Sequence, residues 1–197
     1  MTTAMIIVDM QNDFLPGGAL AVAGGDEIVS EINLLSKEYE LVVVTQDWHP
    51  RSHGSFASQH DGAQAFEMGE LAGMPQVFWP DHCVQGTLGA ELTKALDQEP
   101  VEAIIRKGMD PNIDSYSAFF DNGRLKATGL EGYLRDRGVD EVHICGLAAD
   151  YCVLATAKDA LTLGFISVIL KNATKAIDED NIDELWDGFS ASGGRFL

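Results

Sequence analysis

The stretch His143-Ile144-Cys145-Gly146-Leu147-Ala148-Ala149-Asp150-Tyr151-Cys152-Val153 decides how this chain is read. An apolar β-type run from Val139 to Cys145 reaches Gly146, a short turn follows, and a helical run begins near Asp150. Cys152 then falls in the first turn of a helix that starts where a strand ends. Backbone N–H groups are free in such a turn and the helix dipole favours an anion, which lowers the pKa of a thiol. The same N–H groups can hold the oxyanion of a tetrahedral intermediate. Gly146 leaves room for the tight strand-to-helix turn. A buried structural cysteine is the plain alternative; the setting favours a nucleophile.

Other segments repeat the pattern. Ala4 to Val8 is a continuous apolar run ending at Asp9, as expected of a strand buried on both faces. Leu41 to Gln46 is a second such run, ending at Asp47, and Val101 to Lys107 a third. Phe165 to Leu170 gives a fifth strand after Asp140–Cys145, and Arg195-Phe196-Leu197 starts a sixth that the chain end cuts short. Helical spacing runs over Asp26–Glu38, Leu88–Leu96, Leu130–Arg137, Asp150–Leu163 and Ile182–Phe189. This alternation predicts an α/β fold: a doubly wound parallel sheet of five or six strands with helices on both faces. A length of 197 residues suits a single domain over 1–197, with 48–87 as a long irregular insertion after the second strand. Ligands bind such sheets outside the carboxyl ends of the strands. Asp9, Asp47, Lys107 and Cys152 all fall at that edge.

Composition narrows the partners. A net charge of −18 argues against nucleic-acid backbones and anionic membranes. Three cysteines, an odd count without framework spacing, suit a reducing compartment. No apolar run approaches the ~20 residues of a membrane span, and Ala4–Val8 is too short for a signal core. A cytoplasmic protein acting on a small molecule is expected, with a homo-oligomer left open.

Asp9, Lys107 and Cys152 could form a nucleophile system. A carboxylate can take the thiol proton and later protonate a leaving amine. A lysine between them should lower both pKa values. Asp47 and His49, two apart on an extended segment, point the same way and can reach one cation. His82 adds a third ligand and His53 a candidate fourth. Carboxylate with imidazoles suits a borderline divalent ion, zinc first, iron or manganese otherwise, and three protein ligands leave positions open. Phe14, Trp79 and Tyr116 lie in loops expected to wall a flat aromatic pocket. Cys83 and Cys145 read as buried structural thiols, and the sequence names no partner for His60 or His143.

Taken together, these motifs resemble the nicotinamidases (pyrazinamidases) of the isochorismatase-like cysteine hydrolases. The matching segments are Ile7-Val8-Asp9-Met10-Gln11-Asn12-Asp13-Phe14, Thr45-Gln46-Asp47-Trp48-His49-Pro50, His53-Gly54-Ser55-Phe56-Ala57, Trp79-Pro80-Asp81-His82-Cys83-Val84, Lys107-Gly108, Tyr116-Ser117-Ala118-Phe119 and the Cys152 segment. The resemblance implies hydrolysis of nicotinamide to nicotinate and ammonia through a cysteine thioester, in NAD salvage. It implies Asp9 as base and acid, Lys107 as electrostatic partner, and Cys152 as nucleophile. Asp47, His49 and His82 would bind the metal, with His53 nearby, and Phe14 and Trp79 would flank the ring. The Leu147–Ala148 peptide would be cis, with the Ala148 and Cys152 N–H groups as the oxyanion hole.

The chain departs from the family pattern in two places besides its early end. Ala149 stands where threonine is frequent, and Asn172-Ala173-Thr174-Lys175-Ala176 follows the fifth strand instead of the usual Cys- or Ala-Arg-Gly pattern. Two rivals are a related hydrolase acting on a carbamoyl, ureido or enol-ether group, and a binding domain without chemistry. A third is a protein whose metal is purely structural.

Overall fold

The computed structural model describes residues 2–197. In chain order the elements are β1 (Thr2–Val8), α1 (Val29–Leu35), β2 (Leu41–Asp47), β3 (Met68–Leu71), β4 (Met74–Val77), β5 (Val101–Lys107), α2 (Leu130–Asp136), β6 (Val139–Leu147), α3 (Leu154–Thr162), β7 (Ile166–Lys175), α4 (Ile182–Ala191) and β8 (Arg195–Phe196). Six strands form one sheet in the order β5-β2-β1-β6-β7-β8, every neighbouring pair parallel.

Ala4 to Val8 are all fully buried. Strand side chains alternate between faces, so Ala4, Ile6 and Val8 join one core and Met5 and Ile7 the other. The first core is closed by α2, α3 and α4. The second is closed by α1 and by the loop that carries Trp79, Cys83, Ala90 and Leu92. Helices therefore cover both faces, unequally. The chain enters at β1, winds out through β2 to β5, then crosses back to β6. That reversal between β2 and β6 makes β1 the switch point, where open sheets of this kind bind ligands.

Two sequence expectations change. The sixth strand is present: Arg195 and Phe196 pair with Val168 and Ile169. Phe196 packs edge-on against Trp186 and Phe189, which anchors so short a strand. Leu88–Leu96, expected as a helix, is a series of turns. Its backbone groups are spent on the loop after β1: Asn12 N–H donates to Glu91 O, Asp13 N–H to Gly89 O, and Thr93 N–H to Met10 O. Pairing with a neighbouring loop has overridden local helical spacing. The 48–87 insertion holds a short 3₁₀ turn at Ala57–Gln59 and the antiparallel hairpin β3–β4. Among the described residues no helix is long and apolar enough to cross a membrane.

Candidate active site and metal centre

The strand order brings Lys107, Asp47, Asp9 and Cys152 side by side, from β5, β2, β1 and the turn after β6. Lys107 is at their centre. Its Nζ lies 2.5 Å from Asp47 Oδ1, 2.8 Å from Asp9 Oδ2 and 3.4 Å from Cys152 Sγ, and it donates to Ser115 O at 3.1 Å. Its side chain is fully buried. An unpaired buried ammonium would be costly; two carboxylates, a carbonyl and a sulfur satisfy this one.

The two carboxylates differ. Asp9 Oδ1 accepts the Thr45 hydroxyl at 2.6 Å, and Thr45 Oγ1 accepts the Asp9 N–H at 3.2 Å. Asp9 Oδ2 is buried and, although close to Lys107, lies outside hydrogen-bond geometry with any group. Burial pushes the Asp9 carboxyl up to about 6, over the opposing charge of Lys107, with Asp47 adding to the rise. Burial also works against the charge on Asp47, but Lys107, His49 and His82 outweigh it and hold that carboxyl far below the usual range. Asp9 is thus the carboxylate ready to take a proton. Burial raises the Cys152 thiol well above its ordinary value, Lys107 opposing and Asp9 and Asp47 adding. The expectation that Lys107 lowers both partners is right for its own charge and wrong in sum, because burial dominates.

Cys152 lies within a wide turn over Ala149–Val153, closed by Val153 N–H donating to Ala148 O at 3.1 Å, before α3 begins. The Leu147–Ala148 peptide is cis. Gly146 has φ +101°, and a Cβ there would sit 2.1 Å from Val8 O, so only glycine fits against β1.

Beside Lys107 is a cluster of imidazoles. His49 Nε2 lies 3.6 Å and His82 Nε2 4.0 Å from Asp47 Oδ2. His49 Nδ1 is bonded to Gly108 O and His82 Nδ1 to Pro80 O, each at 2.8 Å. Carbonyls only accept, so both rings carry their proton on Nδ1 and turn an Nε2 lone pair inward, the form a metal ligand needs. His53 differs. Its Nδ1 accepts the Ser55 N–H at 3.3 Å and meets Ser55 Oγ at 2.7 Å, and its buried Nε2 has no partner. With His49 and Asp114 the His53 ring forms a second group of ligand atoms lying within 4.8 Å of one another. Burial, with His49 alongside, pulls His53 and His82 down to about 4; Asp47 raises His49 against burial.

Sequence reasoning missed Asp114. Its carboxylate is buried within 4.8 Å of nitrogens of His49 and His53. It accepts Gln76 Nε2–H at 2.9 Å and Ser115 N–H at 2.8 Å. Its place two residues before Tyr116, in an apparently irregular stretch, was the only signal. Buried Asp9, Asp47 and Asp114 against one ammonium leave two negative charges uncompensated, the charge of one divalent ion. Inward lone pairs and this imbalance fit such an ion. Gln11 was missed as well: its amide braces the Asp47 backbone in both directions, at 2.8 Å each.

Phe14, Trp79 and Tyr116 line one cleft with Asp47, His82 and Cys152, about 330 Å³ with its mouth included. The Tyr116 hydroxyl accepts from Trp79 Nε1 at 3.2 Å and from Gln76 Nε2 at 3.1 Å, fixing the indole. Cys83 and Cys145 are free and buried, as expected. The other two histidines do have partners: His60 Nε2 bonds to Gly54 O at 2.7 Å, and His143 joins the Tyr39 hydroxyl and Glu141, each at 2.6 Å.

Known proteins share this arrangement of chain. A nicotinamidase of Acinetobacter baylyi is 52% identical over 191 residues, covering 96% of this chain and 89% of that protein. The structure of a nicotinamidase/pyrazinamidase from Acinetobacter baumanii superposes with a TM-score of 0.97 at 45% identity, covering 100% of this chain and 95% of the other. A Pyrococcus horikoshii pyrazinamidase in complex with zinc gives 0.83 at 37% identity, with coverage of 100% and 99%. The isochorismatase domain model matches residues 3–197, and the chain belongs to that family.

Proposed function

We propose that this chain hydrolyses nicotinamide to nicotinate and ammonia, and pyrazinamide to pyrazinoate, in the cytoplasm, as one domain over 1–197. The observation that carries the proposal is Cys152 Sγ and Asp9 Oδ2 meeting at one buried ammonium beside the Asp47–His49–His82 cluster. The activities named for the relatives above support it.

The reaction follows from the groups present. Asp9 takes the Cys152 proton as sulfur attacks the carboxamide carbon, so the thiolate never has to persist in a buried site. Lys107 holds both partners and offsets the charge on sulfur. The N–H groups of Ala148 and Cys152 donate to the oxyanion. Asp9 returns its proton to the nitrogen, the C–N bond breaks, ammonia leaves, and an acyl thioester remains on Cys152. Asp9 then takes a proton from water, whose oxygen attacks the thioester. The C–S bond breaks, the acid departs, and the thiol regains its proton.

Phe14 and Trp79 flank the ring, and Tyr116 keeps the indole in place. Asp47, His49 and His82 would hold one divalent ion, zinc by preference, which supplies a Lewis-acid anchor for the ring nitrogen. His53 and Asp114 surround that position. Ammonia release from nicotinamide by the purified protein, with metal content measured alongside, tests the reading. A metal-free protein active only on carbamoyl or ureido compounds sinks it.

Two predictions arise at this point. Asp9 must be unprotonated to accept the thiol proton, and its pKa is raised, so kcat/KM should fall about tenfold per pH unit below about 6. A profile flat down to pH 5 removes Asp9 as the base. Gly108 has φ +66°, and a Cβ there would lie 2.4 Å from the His49 ring. Gly108→Ala should therefore displace His49 and weaken metal binding about tenfold or more, read by titration with zinc.

A further inference from the structure

One wall of the cleft is held in place by a residue the reaction does not use. Asp150 lies between Ala148 and Cys152, inside the turn that carries both. Its Oδ1 accepts the Ile177 N–H at 3.1 Å, and its Oδ2 accepts the Asp178 N–H at 2.9 Å. These bonds tie the segment leaving β7 to the turn bearing the nucleophile. The segment is pinned elsewhere too: the Thr174 hydroxyl donates to Gly146 O at 2.7 Å, and Ala176 N–H donates to Glu179 Oε1 at 3.3 Å. Ile177, so held, lines the cleft together with Leu20, and it packs on the cluster that contains Phe14 and Trp79.

We propose that Asp150 is a positioning residue for substrate selection. By fixing Ile177 it closes the cleft around an unsubstituted six-membered aromatic carboxamide and turns away ring-substituted ones. The inference rests on the aromatic amide hydrolysis proposed above. Phe14, Trp79, Tyr116 and Tyr151 are the aromatic members of this cleft. Asp47, His82, Asp114 and Cys152 supply its polar and reacting atoms, while Leu20 and Ile177 are its branched aliphatic members. With the amide at Cys152 and the ring nitrogen toward Asp47 and His82, a substituent on the side of the ring facing Leu20 and Ile177 would meet aliphatic carbon. That wall offers no hydrogen bond. Two bonds from one carboxylate keep its backbone from yielding.

The test is selectivity within one variant, which a general loss of stability would not move. Steady-state kcat and KM for nicotinamide, 5-methylnicotinamide and 6-methylnicotinamide are compared in the unsubstituted chain, Ile177→Ala, Asp150→Asn and Asp150→Ala. In Ile177→Ala the ratio of kcat/KM for at least one methylated amide to that for nicotinamide should rise about tenfold or more, chiefly through KM. Asp150→Ala should shift the ratio the same way. Asp150→Asn, which keeps one acceptor oxygen, should shift it less. An unchanged ratio for both methylated amides in Ile177→Ala overturns the inference, however Asp150→Ala folds. A folded Asp150→Ala with the parental ratio removes Asp150 from it. Failure of the unsubstituted chain to release ammonia from nicotinamide is a different result; it overturns the hydrolysis and this inference together.

Discussion

Cys152→Ala should lower kcat for nicotinamide by about 10⁴-fold or more while leaving the fold in place. The size of the loss follows from the chemistry: without sulfur no acyl-enzyme can form, and only pocket binding and the oxyanion donors remain. Retention of the fold follows from the packing. Cys152 is 6% exposed, and its neighbours Ala149, Val153 and Leu154 are themselves buried in the core under α3 and α4. Deleting one sulfur atom there costs about 1 kcal/mol. Lys107 keeps Asp9, Asp47 and Ser115 O as partners, so its charge is not stranded. The measurements are ammonia release and a thermal melt on the same preparation. Turnover near the parental rate in a folded variant would remove Cys152 as the nucleophile and leave a binding domain as the better reading.

Chelation of the metal should cut kcat/KM for nicotinamide by about 10²-fold or more, reversibly, without unfolding the protein. A structural ion would behave otherwise, since removing it costs the folded state its stability. Here the proposed ligands are held by bonds that do not involve the ion. Asp47 is paired with Lys107 and braced by Gln11. His49 is bonded to Gly108 O, its N–H to Cys83 O, and His82 to Pro80 O. Circular dichroism before and after dialysis against chelator separates the two cases. Restored turnover on adding one equivalent of zinc is the expected end point; unfolding on metal loss would instead make the centre structural.

The sheet edge was legible in the sequence because strands buried on both faces advertise themselves as unbroken apolar runs. Ala4–Val8 and Leu41–Gln46 could be little else, and the residue after or at the end of each such run is placed without further information. That is how Asp9, Asp47, Lys107 and Cys152 could be named. His49 and His82 were legible from ligand chemistry and from the motifs around them. Leu88–Leu96 was misread because its helical spacing is real, but its hydrogen bonds go to the loop at Met10–Asp13, a partner distant in sequence. Asp114 was not singled out, and Thr45 and Gln11 stood in the matching motifs without a role, because nothing local distinguishes them. Their importance lies in what they touch across the fold.

The sequence by itself therefore determined the alternation of elements, the parallel sheet, and which reactive side chains stand at its carboxyl edge, since apolar periodicity is a local property. Only the tertiary structure decided that β1 lies between β2 and β6, so that these groups are neighbours. It alone showed why the two carboxyls differ: burial raises Asp9, whereas Lys107, His49 and His82 hold Asp47 down. Both are long-range matters: strand order is set by how helices and loops cover the two faces, and a buried group's charge is set by the partners that surround it.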